Sequence, residues 1–308
     1  MVQRGAFLLM AAALVLGISH IPAPAPAPEP PAPDDVVYVY NGYAAKTDAA
    51  FDAASLDRAA YRFQHLHDLY FTGRTVYLAV VPDKAQFTVP PEGYTPAGAA
   101  ETADYLCGTL DFLTPVDIAA GLTLTDYYRT DPHWRQEQLH PVADTLLAAM
   151  GAPVPDTREE TLCALAGEFR GAYWDSTPQP LEADTLAYLT GAALEACTVR
   201  NYETETDGGV YDFDAAQDAP YDLFLSGSRS LLRIDSPDAL SDRTLVVFRD
   251  SFGSSLIPLL AESYRTVYAV DIRYLSSDLL GRFVDFPADA DVLLLYSTTV
   301  LHNSITLK

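Results

Sequence analysis

Apolar positions change period several times along this chain, and each change marks an element. Thr75–Pro82, TVYLAVVP, is a near-continuous apolar run of the kind that forms a strand buried on both faces. Shorter runs at Leu245–Phe248, Val267–Val270 and Val292–Tyr296 predict three more strands, with helical spacing between them over Gly253–Glu262 and Ser277–Phe283. Earlier in the chain, VVYVY at Val36–Tyr40 predicts a first strand. Helical patterns cover Ala54–Tyr70, Ala100–Phe112, Gln136–Met150, Glu159–Phe169 and Thr185–Cys197. Strands alternating with helices of this length imply a mainly parallel sheet covered on both faces, hence a three-layer α/β/α sandwich. No repeat and no second Pro-rich linker divides residues 36–308, so they read as one domain.

The N-terminus has a different pattern. Arg4 precedes an unbroken apolar run from Gly5 to Ile18, which matches a secretory h-region and is short for a membrane span of about 20 residues. Residues 1–20 therefore read as a signal peptide or an uncleaved N-terminal anchor. Residues 21–35 read as a Pro/Ala-rich linker, since PAPAPAPEPPAP from Pro22 to Pro33 is a stiff polyproline spacer. An exported protein, extracellular or in the cell envelope, is the expectation.

Charge narrows the partners. Lys and Arg total 19 against 42 Asp and Glu, a net charge of −23 that repels phosphate backbones, so nucleic acid is not an expected partner. Cys107, Cys163 and Cys197 are widely spaced and form no C-x-x-C pair, which leaves a single disulfide open and gives no metal-binding pattern. His65 and His67, two apart on an expected helix, point to different sides. No phosphate-cradling Gly-rich loop is visible, and neither a metal nor a cofactor is expected.

Two stretches carry chemistry. In TLVVFRDSFGSSLIPLLAESY, Ser251 sits where a strand turns into a helix, beyond the strand's carboxyl end, where open parallel sheets bind ligands. There, free N–H groups and the helix's positive end favour an alkoxide or an oxyanion. Ser and Asp are also good helix N-caps, so Ser251 is either a nucleophile or a cap. In YYRTDPHWRQ, Asp131 and His133 are two apart, a spacing that lets the carboxylate hold one imidazole nitrogen while the other faces a serine. The alternative is that Asp131 caps a helix starting at Pro132.

Together these stretches resemble the bacterial DHHW proteins, relatives of the SGNH-hydrolase-like alginate O-acetyltransferases AlgX and AlgJ. DSFGSSLIPLLAESYRTVYAVDIRYL followed by DVLLLYSTT is similar to the nucleophile region, and TDPHW to the Asp-His-His-Trp signature. VVPDK (Val80–Lys84), GEFRGAYWDST (Gly167–Thr177), DTLAYL (Asp184–Leu189) and YDLFLSGSRSLLRI (Tyr221–Ile234) match in the expected order. The resemblance implies an SGNH-like fold over 36–308, with Ser251 as nucleophile, His133 as general base and acid, and Asp131 orienting the imidazole. Arg273 in VDIRYL also matches, to hold an acyl carboxylate or a sugar oxygen, or else to pair with Asp271. Aromatic side chains such as Tyr127, Tyr128, Trp134, Tyr173 and Trp174 are either core residues or platforms for sugar rings.

The chain departs from the family pattern at three places. Pro132 stands where the family has its first histidine, Arg249 where SGNH proteins often have glycine, and Ser226-Gly227-Ser228 where the family has Gly-Gly-Asn. With the asparagine donor gone, the oxyanion donors are expected among the N–H groups of Ser251 and Gly227, the Ser228 hydroxyl and Arg229. The implied activity is O-acetylation of a cell-surface or secreted polysaccharide through an acyl-serine, with a membrane-bound O-acyltransferase as acyl source. A carbohydrate esterase of the same fold and a non-catalytic glycan-binding or assembly protein are the alternatives.

Overall fold

The computed structural model describes residues 35–308; the expected leader and the linker up to residue 34 lie outside them. In chain order the elements are β1 (Val37–Tyr40), β2 (Tyr43–Lys46), α1 (Ala53–Tyr70), β3 (Val76–Val81), α2 (Ala99–Thr109), β4 (Leu113–Pro115) and α3 (His140–Ala149). Then follow β5 (Thr161–Ala164), β6 (Ala187–Thr190), α4 (Ala192–Ala196), β7 (Thr198–Asn201), β8 (Thr206–Gly208), α5 (Ala215–Asp218) and β9 (Leu231–Asp235). The chain ends with β10 (Thr244–Arg249), α6 (Gly253–Ala261), β11 (Thr266–Val270), β12 (Asp291–Ser297) and α7 (Thr298–His302).

Eight strands form the main sheet in the order β4-β3-β12-β10-β11-β9-β7-β8. The first five run parallel, and β9, β7 and β8 extend the sheet antiparallel. The central strands are apolar on both faces because each face is covered. Leu245, Val247, Val267, Ala269, Leu293 and Leu295 pack with α3 and α6. Their neighbours Val246, Phe248, Val270, Leu294 and Tyr296 pack with α1 and α2. Alternate residues of one strand thus enter opposite cores, and each fully buried Val or Leu contributes about 1.5–3 kcal/mol. This is the expected three-layer α/β/α sandwich with a mainly parallel sheet.

Several elements differ from the pattern reading. Glu159–Phe169 is not helical; β5 pairs antiparallel with β6, and the pairing continues through Leu165 N–H to Leu186 O and a Phe169–Asp184 bridge. Gly167, at φ +100°, supplies the turn that breaks the apparent helix. Thr185–Cys197 is β6 followed by the short α4. The two meet at Gly191, where a Cβ would lie 2.4 Å from Glu159 O, so the chain there is extended and tightly packed against β5's approach. Ser277–Arg282 is a 3₁₀ turn, and the Val37–Tyr40 strand forms a hairpin with β2 outside the main sheet. Cys107, Cys163 and Cys197 are all unpaired.

Candidate active site

β3, β12 and β10 are neighbours inside the sheet, and the site is built on their carboxyl ends. Asp250, just after β10, is buried and bridges outward from the sheet. Its Oδ2 accepts from Ser297 N–H at the end of β12 (2.7 Å), and its Oδ1 from Phe252 N–H (3.0 Å). Asp250 therefore fixes the turn into α6, whose N-cap position is Phe252 with no side-chain cap bond. Ser251 is released from capping. Gly253 lets the helix settle on the strand, since a Cβ there would lie 2.8 Å from Arg249 Cβ.

Opposite Ser251 stands the loop of YYRTDPHW, and no helix begins at Pro132. The loop closes on itself through a Tyr127–Trp134 bridge and a bond from Tyr128 N–H to His133 O (3.0 Å). Trp134 is fully buried and ties it to the serine's helix, its Nε1–H donating to Phe252 O (3.0 Å) and Ser255 Oγ (3.1 Å). These anchors place His133 Nε2 2.7 Å from Ser251 Oγ and His133 Nδ1 2.6 Å from Asp131 Oδ1. A carboxylate can only accept, so Nδ1 carries the proton and Nε2 is free to accept from the serine hydroxyl.

Burial pushes the Asp131 carboxyl up, but the His133 imidazole beside it and N–H bonds from His133 and Ala172 outweigh that and leave it below the usual carboxylate range. The Ala172 bond (2.9 Å, to Oδ2) requires close approach. At Gly171 a Cβ would lie 2.3 Å from Asp131 Cβ, so glycine is the residue that admits the loop. Tyr221 stacks on the His133 ring at 4.0 Å and 14°, its hydroxyl bonded to Ser255 Oγ (3.0 Å), and Phe252 packs on the imidazole at 4.9 Å. The Asp-x-His spacing implies none of these supports, although Tyr221 and Gly171 lie in stretches that resemble the family.

The expected oxyanion and substrate groups are disposed differently. Gly227 N–H donates to Phe224 O (3.0 Å), and Gly227 O accepts from Arg249 Nη2 (3.2 Å), so this amide is not free for an oxyanion. The tight turn causes this: Leu225, Ser226 and Gly227 all have positive φ (54°, 57° and 74°), which rotates the amide inward. Ser228 is exposed and makes no hydrogen bond among the described residues, while Arg229 ion-pairs with Glu203 at 3.7 Å. Ser251 N–H has no partner among the described residues. Arg273 takes the second of its two expected roles. Its Nε and Nη2 grip Asp271 (2.9 and 2.7 Å), and burial, which pushes the guanidinium down, is outweighed by that carboxylate, which raises it.

Asp222 lies against Gly227, where a Cβ would come within 2.1 Å of its Oδ1; burial pushes this carboxyl up, opposed by Arg229 and His133. Tyr127, Tyr128, Trp134 and Tyr173 are buried core residues, and Trp174 alone of the five is partly exposed, with Arg170 5.0 Å over its ring. A cleft of about 520 Å³ opens beside the 226–229 turn, lined by Ser226, Arg229, Asp212, Tyr211 and the exposed Phe213. Among the described residues, no group of three or more His, Cys, Asp or Glu side chains is arranged to hold a metal ion.

Compared by sequence, the chain matches no protein-family model and no curated protein. Compared by structure, it is similar to a DHHW family protein from Eubacterium siraeum, with a TM-score of 0.66 and 19% identity over 87% of this chain and 94% of that one. It is similar to Bacillus cereus PatB1 solved with a sulfonyl adduct, with a TM-score of 0.64 and 17% identity over 87% and 96% of the two chains. The O-acetyltransferase domain of Pseudomonas putida AlgJ follows at 0.51 and 14%, over 87% and 92%. The expected relation to DHHW and AlgJ-type proteins therefore holds at the level of the fold.

Proposed function

We propose that this protein is a serine acyltransferase acting on a polysaccharide outside the cell, with Ser251, His133 and Asp131 as its catalytic residues. The observation that carries this is the unbroken line Asp131–His133–Ser251, with contacts of 2.6 and 2.7 Å. The fold shared with an O-acetyltransferase domain supports the acyl group being acetyl, and the leader-like N-terminus supports export.

Ser251 Oγ attacks the donor's ester carbonyl while its proton passes to His133 Nε2. The buried Asp131 carboxylate stabilises the imidazolium and holds its orientation. Ser251 N–H, which has no partner among the described residues, is the proposed donor to the developing oxyanion, and one such donor is worth about 3 kcal/mol. When the ester C–O bond breaks, the leaving alkoxide takes the proton from His133, leaving acyl-Ser251. A sugar hydroxyl then gives its proton to His133 and attacks the acyl carbon, and Ser251 leaves with that proton. The cleft beside Ser226 and Arg229, whose lining includes the exposed Phe213 but not Ser251 or His133, is the proposed seat for a sugar unit next to the reacting one, and a membrane-bound O-acyltransferase is the proposed acyl source.

The test is to expose the protein to a fluorophosphonate probe and to an acetyl-ester donor, locating adducts by peptide mass spectrometry. An adduct on Ser251 that is lost in His133→Ala supports the reading. Acetate released without transfer to any glycan acceptor would reassign the protein as an esterase, and a folded protein with no adduct would reassign it as a glycan-binding protein.

A further inference from the structure

The Tyr128–Asp131 segment is held by two charged side chains that make no direct contact with the imidazole or the serine. Lys84 follows β3 and is 1% exposed. Its Nζ donates to Asp131 O (2.8 Å), Tyr128 O (2.9 Å) and Arg129 O (3.5 Å). An ammonium has three N–H donors, and all three point at carbonyls of one short segment. Among the described residues no carboxylate lies within ion-pair distance of Nζ. Burying a charge without a counter-ion in contact is costly, and an apolar side chain of the same length would fill the space.

Asp184, at the entry to β6, takes the opposite polar groups of the same segment. Its Oδ1 accepts from Arg129 N–H (2.8 Å), and its Oδ2 from Thr130 N–H (2.8 Å) and Thr130 Oγ1 (2.6 Å). The cation thus gathers the carbonyls and the anion gathers the amides.

We infer that Lys84 and Asp184 are a pair of positioning residues, which act through the backbone they hold between them to set where the Asp131 carboxylate meets His133. This rests on the catalytic reading above. Asp131 lies at the end of the clamped segment and passes any displacement straight to the imidazole through a 2.6 Å bond. A shift of about 1 Å in such a group costs on the order of 10²-fold in rate. Neither residue follows from the Asp-x-His spacing, because neither touches a reacting atom.

The clamp also has a titration signature. Burial pushes the Lys84 ammonium down to about 8, partly offset by Asp131, Asp83 and Asp184, which face it from its own turn and from the two segments packed over it; the Tyr173 ring lies 5.4 Å from Nζ. Above that pH the donor count and the charge both fall.

The full chain, its Lys84→Met and Lys84→Arg variants and Asp184→Asn are compared by the rate of fluorophosphonate modification of Ser251 from pH 6 to 10, and by the NMR signal of the His133 Nδ1 proton. The parent is expected to lose rate above about pH 8. Lys84→Met is expected to be about 10²-fold slower with that limb gone, and Lys84→Arg to regain part of the rate without the limb. Asp184→Asn, which keeps one acceptor, is expected to lie between, and the Nδ1 proton signal is expected to shift or broaden in Lys84→Met and Asp184→Asn. A folded Lys84→Met with the parent's rate and pH profile overturns the inference. If Lys84→Met does not fold, Asp184→Asn decides by the same two readings. If the parent itself is not modified at Ser251, it is the catalytic reading that fails; the Nδ1 proton signal then decides the clamp, and an unchanged signal in the variants overturns it.

Discussion

Replacing Gly171 with alanine is a small change that the site has no room for. The new Cβ would lie 2.3 Å from Asp131 Cβ and 2.7 Å from both Asp131 Cα and Thr130 O. Carbon atoms in packed interiors sit about 3.5–4.0 Å apart, so one segment must retreat by about 1 Å, and what it meets is backbone, not a flexible tip. Retreat stretches the Ala172 N–H bond to Asp131 Oδ2 from 2.9 Å to beyond hydrogen-bonding range. The carboxylate then loses a charge-assisted bond worth about 1.5–3 kcal/mol, and overpacking of this kind costs about 1–3 kcal/mol in stability. The rate of Ser251 modification by a fluorophosphonate is expected to fall about 10²-fold. The thermal midpoint is expected to fall by roughly 4–8 °C for a loss of about 2 kcal/mol in a domain of this size. Gly121→Ala is the control, because a Cβ there meets nothing within 4 Å. If Gly171→Ala matches Gly121→Ala in both rate and midpoint, the idea that close approach of these two backbones holds the carboxylate is wrong.

Tyr221→Phe keeps the ring on His133 and loses the bond to Ser255, so it is expected to cost about 1 kcal/mol in stability with little change in modification rate, whereas Tyr221→Ala slows the reaction; equal rates in the two would dismiss the stacked ring. His302 is buried between Asp52 N–H (2.9 Å) and Thr102 Oγ1 (2.9 Å), and burial pushes its imidazole down. The unfolded chain then takes up the proton more readily than the folded one, so this group's stability contribution is present above about pH 6.5 and is lost as pH falls below it. His302→Gln is expected to show a smaller fall in thermal midpoint between pH 7 and pH 5 than the parent, and identical slopes would contradict this. Asp131, held low, contributes stability above the usual carboxylate range near pH 4 that is lost only as pH falls through its depressed value, so Asp131→Asn is expected to reduce stability at pH 7 by more than it does at pH values below that range in chemical unfolding. Because Cys107, Cys163 and Cys197 are unpaired, a reductant is expected to leave the melting curve unchanged.

The central sheet was readable in the sequence because its strands are covered on both faces, which makes continuous apolar runs such as TVYLAVVP and LVVF. Legibility stopped where one-sided strands begin. Residues of β5 are mostly exposed, and the apolar spacing from Leu162 to Phe169 fits a helix as well as it fits a strand with a Gly167 turn. β7 and β9 join the sheet by long-range antiparallel pairing, which leaves little periodic trace over four or five residues. An Asn41-Gly42 pair with φ of 48° and 81° was an available hairpin signal for β1 and β2. In the site, a two-residue spacing brought Asp131 and His133 to notice, since local geometry alone can join them. Tyr221, Gly171, Lys84 and Asp184 reach the same place from distant segments, and only the folded chain shows what they touch. The turn at Gly227 shows the reverse: a glycine suited to an oxyanion amide is used instead to fold the chain back on Phe224.

Ser251 and His133 are 118 residues apart, and the loop that carries His133 is anchored by segments as distant as Lys84, Ala172, Asp184 and Tyr221. Contacts of that sequence separation form only once the loop-closure entropy of the intervening chain has been met. A chain that must stay unfolded while it crosses a membrane would therefore carry no reactive serine on the way, because Ser251 has no base until the sheet is complete. On the proposed reading of export and catalysis, acyl chemistry would become available only at the destination, and the rate at which Ser251 gains reactivity toward a fluorophosphonate during refolding would time the last step of assembly.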